Sequence, residues 1–413
     1  MSNLNNKKSF LMGIVVGVLI MSAAVAGYTA YMRQVRWGGG LDPNRKVMEI
    51  YSVLDRFSIL PFDKAEMLES MYRGFLAGVG DPYTQYFDHE ALAAFHTRTA
   101  GEYVGIGVRV MVDPADRTVT VVNVFRGAPS YEAGLLPGDK IVAVNGEDVV
   151  GRPLPEVVGL IQGPEGTSVN LTILRPYENL RFDTDVFRAL IEVPTVFHEM
   201  FDIATEYAGY FRTGYIRIEG FDRPTLSQFS NALAELQVYG MDSLIIDVRN
   251  NPGGLLHVVE QIADLVVPEG IITFTEDVDG HREYLMAEYD YLGLPIVVLV
   301  NGRSASASEL LAGAIQDTGA GVLVGTQTFG KGIVQNLRYL SDGTAIKLTV
   351  AKYFTPNGTS IHGIGLTPDF VVEMDESISR RIGDLEITED AQLQAALKLI
   401  QAKLIQTSQN PAQ

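Results

Sequence analysis

The spacing of apolar residues changes character several times along the chain. From Phe10 to Ala30 it is unbroken (FLMGIVVGVLIMSAAVAGYTA), directly after Lys7 and Lys8. A run of that length behind basic residues predicts a bilayer-spanning helix or an export signal. Beyond the flexible Gly38-Gly39-Gly40, residues 42–98 read mostly as helix. Val47, Ile50, Tyr51, Val53 and Leu54 recur at helical spacing, as do Met67, Leu68, Met71 and Phe75 within Lys64–Val79. Gly78 and Gly80 stop the second stretch, and Asp81-Pro82 opens a turn. From Gly101 to Phe187 the period drops to two, as in Val108, Val110 and Val112. Further strands are expected around Val119–Val122, at Ile141–Val144 and at Ser168–Leu174, with an Asn145-Gly146 hairpin signal and one short helix, Pro155–Ile161. Beyond that, strands (from Gly214, Leu244–Val248, Ile296–Val300, Val322–Val324, Ala345–Tyr353) alternate with helices (Leu226–Leu236, Leu255–Val266, Glu309–Ile315). Such alternation predicts an α/β core on a largely parallel sheet. An amphipathic helix, Glu389–Ile405, precedes a polar end. The expected divisions are 1–40 (anchor and linker), 41–100 (helical), 101–187 (β-rich), 188–375 (α/β) and 376–413 (helical tail).

Composition narrows the function. The 413 residues carry a net charge of −18, with 50 acidic against 32 basic residues, which argues against a nucleic-acid partner. The absence of cysteine excludes disulfides, thiolate metal sites, a cysteine nucleophile and a lipobox anchor. Lys7 and Lys8 stay cytoplasmic under the positive-inside rule, so the rest of the chain is expected outside. The expected location is the cell membrane, single-pass, with the globular part extracytoplasmic. Cleavage near Ala24 and Ala26 would instead release it to the periplasm or medium.

Candidate chemistry is concentrated in three segments. Ser304-Ala-Ser-Ala-Ser-Glu309 offers hydroxyl nucleophiles among small residues, and Thr328-Phe-Gly-Lys-Gly332 offers one lysine among glycines. Serine needs a base as it attacks, and a desolvated lysine can be that base. With an ordinary lysine pKa of roughly 10.4, being half neutral at pH 7 costs about 4.6 kcal/mol, which burial can supply. The sequence neighbours of Lys331 include no acid. Gln335, four positions on, is placed to orient the amine. The strand Leu244–Val248 runs into Arg249-Asn-Asn-Pro-Gly-Gly254 and a helix, where loop amides suit an oxyanion. The residues alone do not rank Ser304, Ser306 and Ser308. In the β-rich region, Tyr103-Val104-Gly105-Ile106-Gly107-Val108 places glycines before a strand, a layout suited to gripping a terminal carboxylate.

Other readings of these segments are weaker. Gly325–Gly332 nearly fits a phosphate-binding loop, but Gly332 stands where the Mg²⁺-binding Ser/Thr belongs. His257 and His362 lie near motifs, which makes a Ser-His arrangement conceivable. His198-Glu199 lacks a second histidine at metal-binding spacing. A membrane-tethered scaffold with a dead core is the non-enzymatic alternative, against which Ser306, Lys331 and Gln335 speak.

Residues 101–187, with Gly-Ala-Pro (127–129), Ala133-Gly134-Leu135, Pro137–Ile141 and Val144-Asn145-Gly146 in order, resemble a PDZ domain. GDPYTQYFD (80–88), DVRNNPGG (247–254), SASASE, TFGKGIVQ and PNGTSIHGIGLTPD together resemble the carboxyl-terminal processing peptidases, over roughly residues 45–375. The resemblance implies a crotonase-like ββα protease core. It makes Ser306 the nucleophile, Lys331 the general base and Gln335 its orienting partner. Ala307 and either Gly253 or Gly254 would supply the oxyanion amides. It implies peptide substrates with apolar C-termini held by the PDZ domain, no cofactor, a homodimer formed through terminal helices, and a PDZ gate that would let a resting state hold serine and lysine apart.

Overall fold

A computed structural model of the chain describes residues 43–205, 209–288, 291–383 and 385–409. The expected membrane segment, the triple glycine and residues 410–413 lie outside them. Among the described residues no helix is long and apolar enough to cross a membrane. The chain divides into two units, residues 1–71 and 72–413. In the first, the helix Pro43–Phe57 leaves Met48, Ile50, Val53, Leu54 and Phe57 exposed, and Ile59 and Leu60 follow in the open. The helical reading of residues 42–98 holds for Pro43–Phe57, Lys64–Ala77 and His89–Ala100, but Gln85–Phe87 is a strand.

In the second unit, the region of period two forms a six-stranded antiparallel sheet with Val108–Val112 at its edge. Val119, Val121, Ile141, Val169, Leu171 and Ile173 point inward and are buried with Val157 and Ile161 of the helix Leu154–Ile161. Asn145 and Gly146 both take positive φ (51° and 79°), closing the two-residue turn that pairs Val144 with Glu147.

The α/β region builds a second six-stranded sheet. Its order is Val196–Thr205, Gly209–Ile218, Ser243–Asp247, Ile296–Val300, Gly321–Gly325, Phe370–Val371. The first pair is antiparallel and the others are parallel. Its central strands read as continuous apolar runs because both faces are covered. Leu244, Ile246, Val298 and Val300 face the core under the helices Leu256–Val266 and Ala307–Asp317. Ile245, Val297, Leu299 and Val324 face the other side, against Leu393, Ala396 and Ile400. The expected amphipathic tail helix, Ala391–Gln409, is therefore a layer of the core. A third, antiparallel sheet joins Gln85–Phe87, Ala345–Phe354 and the hairpin Gly270–Asp277/Arg282–Ala287, and Ile333–Tyr339 also pairs with Ala345–Phe354.

Candidate active site

Three neighbouring parallel strands, Ser243–Asp247, Ile296–Val300 and Gly321–Gly325, bring the three motif segments together, because all three loops leave from the strands' C-terminal ends. Backbone and side-chain bonds tie the loops to one another. The Ser304 hydroxyl donates to Val248 O (2.8 Å), the Ser308 hydroxyl to Asn251 O (2.9 Å), and Phe329 N–H to Ser304 O (3.1 Å). Both of these hydroxyls are fully buried. Only Ser306 of the three lines the cleft, a cavity of about 450 Å³ that it shares with Gly253, Gly254, Ala307, Lys331, Gln335 and Tyr353. The geometry thus separates three serines that the residues alone left unranked and that the resemblance ordered in favour of Ser306.

Ser306 joins turn to helix with φ 57° and ψ −116°, a strained conformation for a residue with a side chain. Strain of this kind at a strand–turn–helix junction is where a nucleophile is commonly presented. Glu309 holds the strained turn. Its fully buried carboxylate accepts from Ser306 N–H (3.0 Å), and equally from Gly330 N–H (2.7 Å), Lys331 N–H (2.8 Å) and the Thr328 hydroxyl. One side chain therefore ties the serine segment to the lysine segment. Tyr353 does the same, its buried hydroxyl donating toward Ser306 O (2.8 Å) and Lys331 O (2.6 Å). Sequence reasoning missed Tyr353, since nothing local marks it. Glu309 was visible only as the end of the serine run.

Tyr353→Phe keeps the buried ring and removes this tie. The expected result is a kcat lower by about ten- to a hundredfold with KM within about twofold, because Ser306 O keeps the Glu309 and Leu310 amides while Lys331 O loses its hydroxyl partner, which costs about 1–3 kcal/mol and frees the lysine segment to shift from the serine. Steady-state kinetics beside a thermal melt check it.

Burial is the main influence on Lys331 and holds its amine below the ordinary lysine pKa, while the carboxylates of Asp81 and Glu309 oppose it. The sequence neighbours of Lys331 include no acid, but the fold brings in these two, both remote in sequence. The amine sits 5.0 Å from the centre of the Tyr83 ring. Among the described residues no hydrogen bond joins it to the Ser306 hydroxyl. Gln335 does not reach the amine directly in this arrangement. Its side-chain amide donates to Tyr83 O (2.6 Å) and so holds the residue whose ring faces the lysine. Asp81 fixes the same turn, accepting from Tyr83 N–H (2.9 Å), the Thr84 hydroxyl (2.7 Å) and the Thr349 hydroxyl (2.6 Å).

Gly253 packs against the serine: a Cβ there would lie 2.7 Å from Ala305 O and 2.8 Å from Ser306 Cβ. Its N–H donates to Asn251 Oδ1 (2.8 Å). The start of this loop is anchored by Arg249, fully buried and paired with Asp247 and with Asp390 at the foot of the last helix.

None of the six histidines lines the cleft. The segment Gly325–Gly332 is not a phosphate cradle either. Its Gly330 and Lys331 amides are taken by Glu309, and the strand Ile333–Tyr339 follows it where a phosphate loop needs a helix.

In the β-rich domain, Glu102–Gly105 pairs with Ala189–Glu192, so Tyr103, Val104 and Gly105 belong to a two-stranded ribbon. The Tyr103 ring covers Gly105, and its hydroxyl, pushed up by burial, faces the Gly107 amide. Ile106 is buried in the domain core, and Val108 begins the open edge strand.

Comparison with known proteins adds to this geometry. Residues 212–372 match the family model described as peptidase family S41, and residues 120–175 match a PDZ domain model. The chain is 38% identical over 328 residues to the carboxyl-terminal-processing protease of Synechocystis sp., covering 79% of this chain and 75% of that protein. It is 34% identical over 346 residues to the carboxy-terminal processing protease CtpB of Bacillus subtilis, covering 83% and 70%. A solved putative S41 protease from Bacteroides fragilis shares the fold at a TM-score of 0.54, with 17% identity, over 84% of this chain and 93% of that one.

Proposed function

Given that this chain belongs to the carboxyl-terminal processing proteases of peptidase family S41, with a PDZ domain, we propose that its serine peptidase chemistry runs on a Ser306–Lys331 dyad without histidine. The observation that carries this reading is the cleft itself. Ser306 is the one serine of its run that lines it, and Lys331 is the half-buried base beside it with a lowered pKa. Lys331 Nζ takes the Ser306 proton as Oγ attacks the scissile carbonyl carbon. The oxyanion is received by the N–H groups of Ala307 and Gly254. Gly254 is the better candidate because the Gly253 amide is already engaged by Asn251. Collapse breaks the C–N bond, and Lys331 returns the proton to the leaving amine. Lys331 then deprotonates a water that attacks the acyl carbon, and Ser306 leaves with the proton restored. The amine now over Tyr83 must swing to the hydroxyl for this. An aromatic face favours the charged form, whereas the base must be neutral. Gln335, through Tyr83, sets where that swing begins.

The PDZ domain grips an apolar substrate C-terminus on the edge strand from Val108, fed past the Gly105–Gly107 turn, and controls entry to the cleft. The core is the crotonase-like ββα arrangement. The apolar segment at residues 10–30 tethers the enzyme to the membrane with the catalytic part outside, and the exposed apolar face of Pro43–Phe57 joins two copies. Full-length enzyme in detergent, given an unfolded substrate with an apolar tail, should release fragments cut near that tail, as read by mass spectrometry. Tailed and untailed substrates being cut alike would contradict C-terminal selection.

The pH dependence follows from the sign of the lysine shift. Activity requires neutral Lys331, so kcat/KM should rise with pH along one protonation limb lying below the ordinary lysine value. Asp81→Asn removes a charge that favours the ammonium, and the limb should move to lower pH. A limb that stays put or moves up would contradict the assignment.

A further inference from the structure

The catalytic cleft contains more positive charge than the dyad uses. Besides Lys331 it is lined by Lys347, on the strand Ala345–Phe354, and by Arg98, in the last turn of the helix His89–Ala100. Among the described residues neither forms an ion pair. Lys347 is half-buried over the Phe87 ring (5.6 Å). The charged groups within its electrostatic reach are Lys331 and Arg98, both cationic, and Asp81. Arg98 has Asp222 within such reach. Glu219 and Asp222 line the same cleft near Gly253 and Gly254. A pair of cations without a bonded acid, in a chain of net charge −18, marks a place for an anion supplied from outside.

We propose that Lys347 and Arg98 form a carboxylate subsite in the cleft, which holds the free C-terminus of the substrate about four to six residues beyond the scissile bond. The distance comes from the strand. Lys347 and Tyr353 both line the cleft six positions apart, and Tyr353 touches Ser306 O. At about 3.3 Å per residue that is at most about 20 Å, shortened by the bulge that leaves Val350 unpaired and again when the lysine side chain reaches back. The segment after the cut is where a short tail puts its obligatory charge. The part of the substrate before the cut brings no fixed charge to that distance. The subsite therefore measures the released fragment of substrates whose end lies in the cleft, whereas the PDZ domain takes the end of longer tails. It rests on the Ser306 reading, and the test below separates the two.

The test uses the full chain and synthetic peptides of one sequence, with two to eight residues after the scissile bond. Each is made with a free C-terminal acid and with an amide cap. Wild type should prefer the acid by about tenfold in kcat/KM, chiefly through KM, when four to six residues follow; that is 1.4 kcal/mol, in the range of one charge-assisted contact. The preference, read as the acid-to-amide ratio within each enzyme so that any movement of the Lys331 limb cancels, should fall to within about twofold in Lys347→Gln/Arg98→Gln, and Lys347→Arg should retain it. Amide-capped peptides with a glutamate at the same distance separate the terminal carboxylate from a side-chain one. Recovery by glutamate assigns the subsite to any carboxylate, and lack of recovery to the chain end. An acid preference that is absent, independent of length, or unchanged in the double variant would overturn the subsite. Amide-peptide cleavage that survives Ser306→Ala would instead sink the dyad.

Discussion

Lys331→Ala and Lys331→Arg should each lower kcat/KM by about 10³- to 10⁴-fold, with the fall in kcat. The pair of variants separates chemistry from structure. Alanine removes the amine from the Tyr83 ring, and arginine restores a cation there. Arginine cannot give up its proton near neutral pH, so it cannot serve as the base. If Lys331 only filled space or balanced Asp81 and Glu309, arginine would recover much of the activity. Chromogenic-peptide kinetics with a melting curve for each variant decide the matter. Equal melting points with two inactive enzymes are the expected outcome.

Gly253→Ala should reduce kcat by about 10²- to 10³-fold, comparable to losing an oxyanion donor. Its φ of 101° is poorly tolerated by a side chain. The added Cβ would also sit 2.9 Å from Ala307 N, the expected oxyanion amide, as well as against Ser306 Cβ. Something in the strained serine turn has to move. KM should change little, because the substrate's outer contacts lie elsewhere in the cleft. Active-site titration would show a full complement of folded protein with a slow acylation step.

The sequence made much of this visible, for identifiable reasons. Buried parallel strands declare themselves as apolar runs, so Leu244–Val248 and Ile296–Val300 were readable along with the loops that leave them. Strands whose partners lie far away gave no such signal. Gly270–Asp277 and Ile333–Tyr339 pair with Ala345–Phe354 in a half-exposed sheet, and their mixed polarity resembles loop. The site shows the same contrast. Ser306 and Lys331 sit in compact glycine- and alanine-rich motifs. Tyr353 and Asp81 act across long separations: 47 residues divide Tyr353 from Ser306, and 268 divide Asp81 from Thr349. The lysine's acidic neighbours escaped notice because sequence adjacency is a poor guide to electrostatic adjacency. The last helix read as a tail because its amphipathic pattern does not say what it packs against. Arg249 and Asp390, 141 residues apart, make it part of the catalytic scaffold.

The dyad is tested most directly by covalent labelling of the full-length enzyme with a serine-reactive phosphonate, followed by peptide mapping. One adduct is expected, on Ser306, forming faster as pH rises along the Lys331 limb and nearly abolished in Lys331→Ala. Adduct on Ser304 or Ser308, or labelling of Ser306 at an undiminished rate without Lys331, would contradict it.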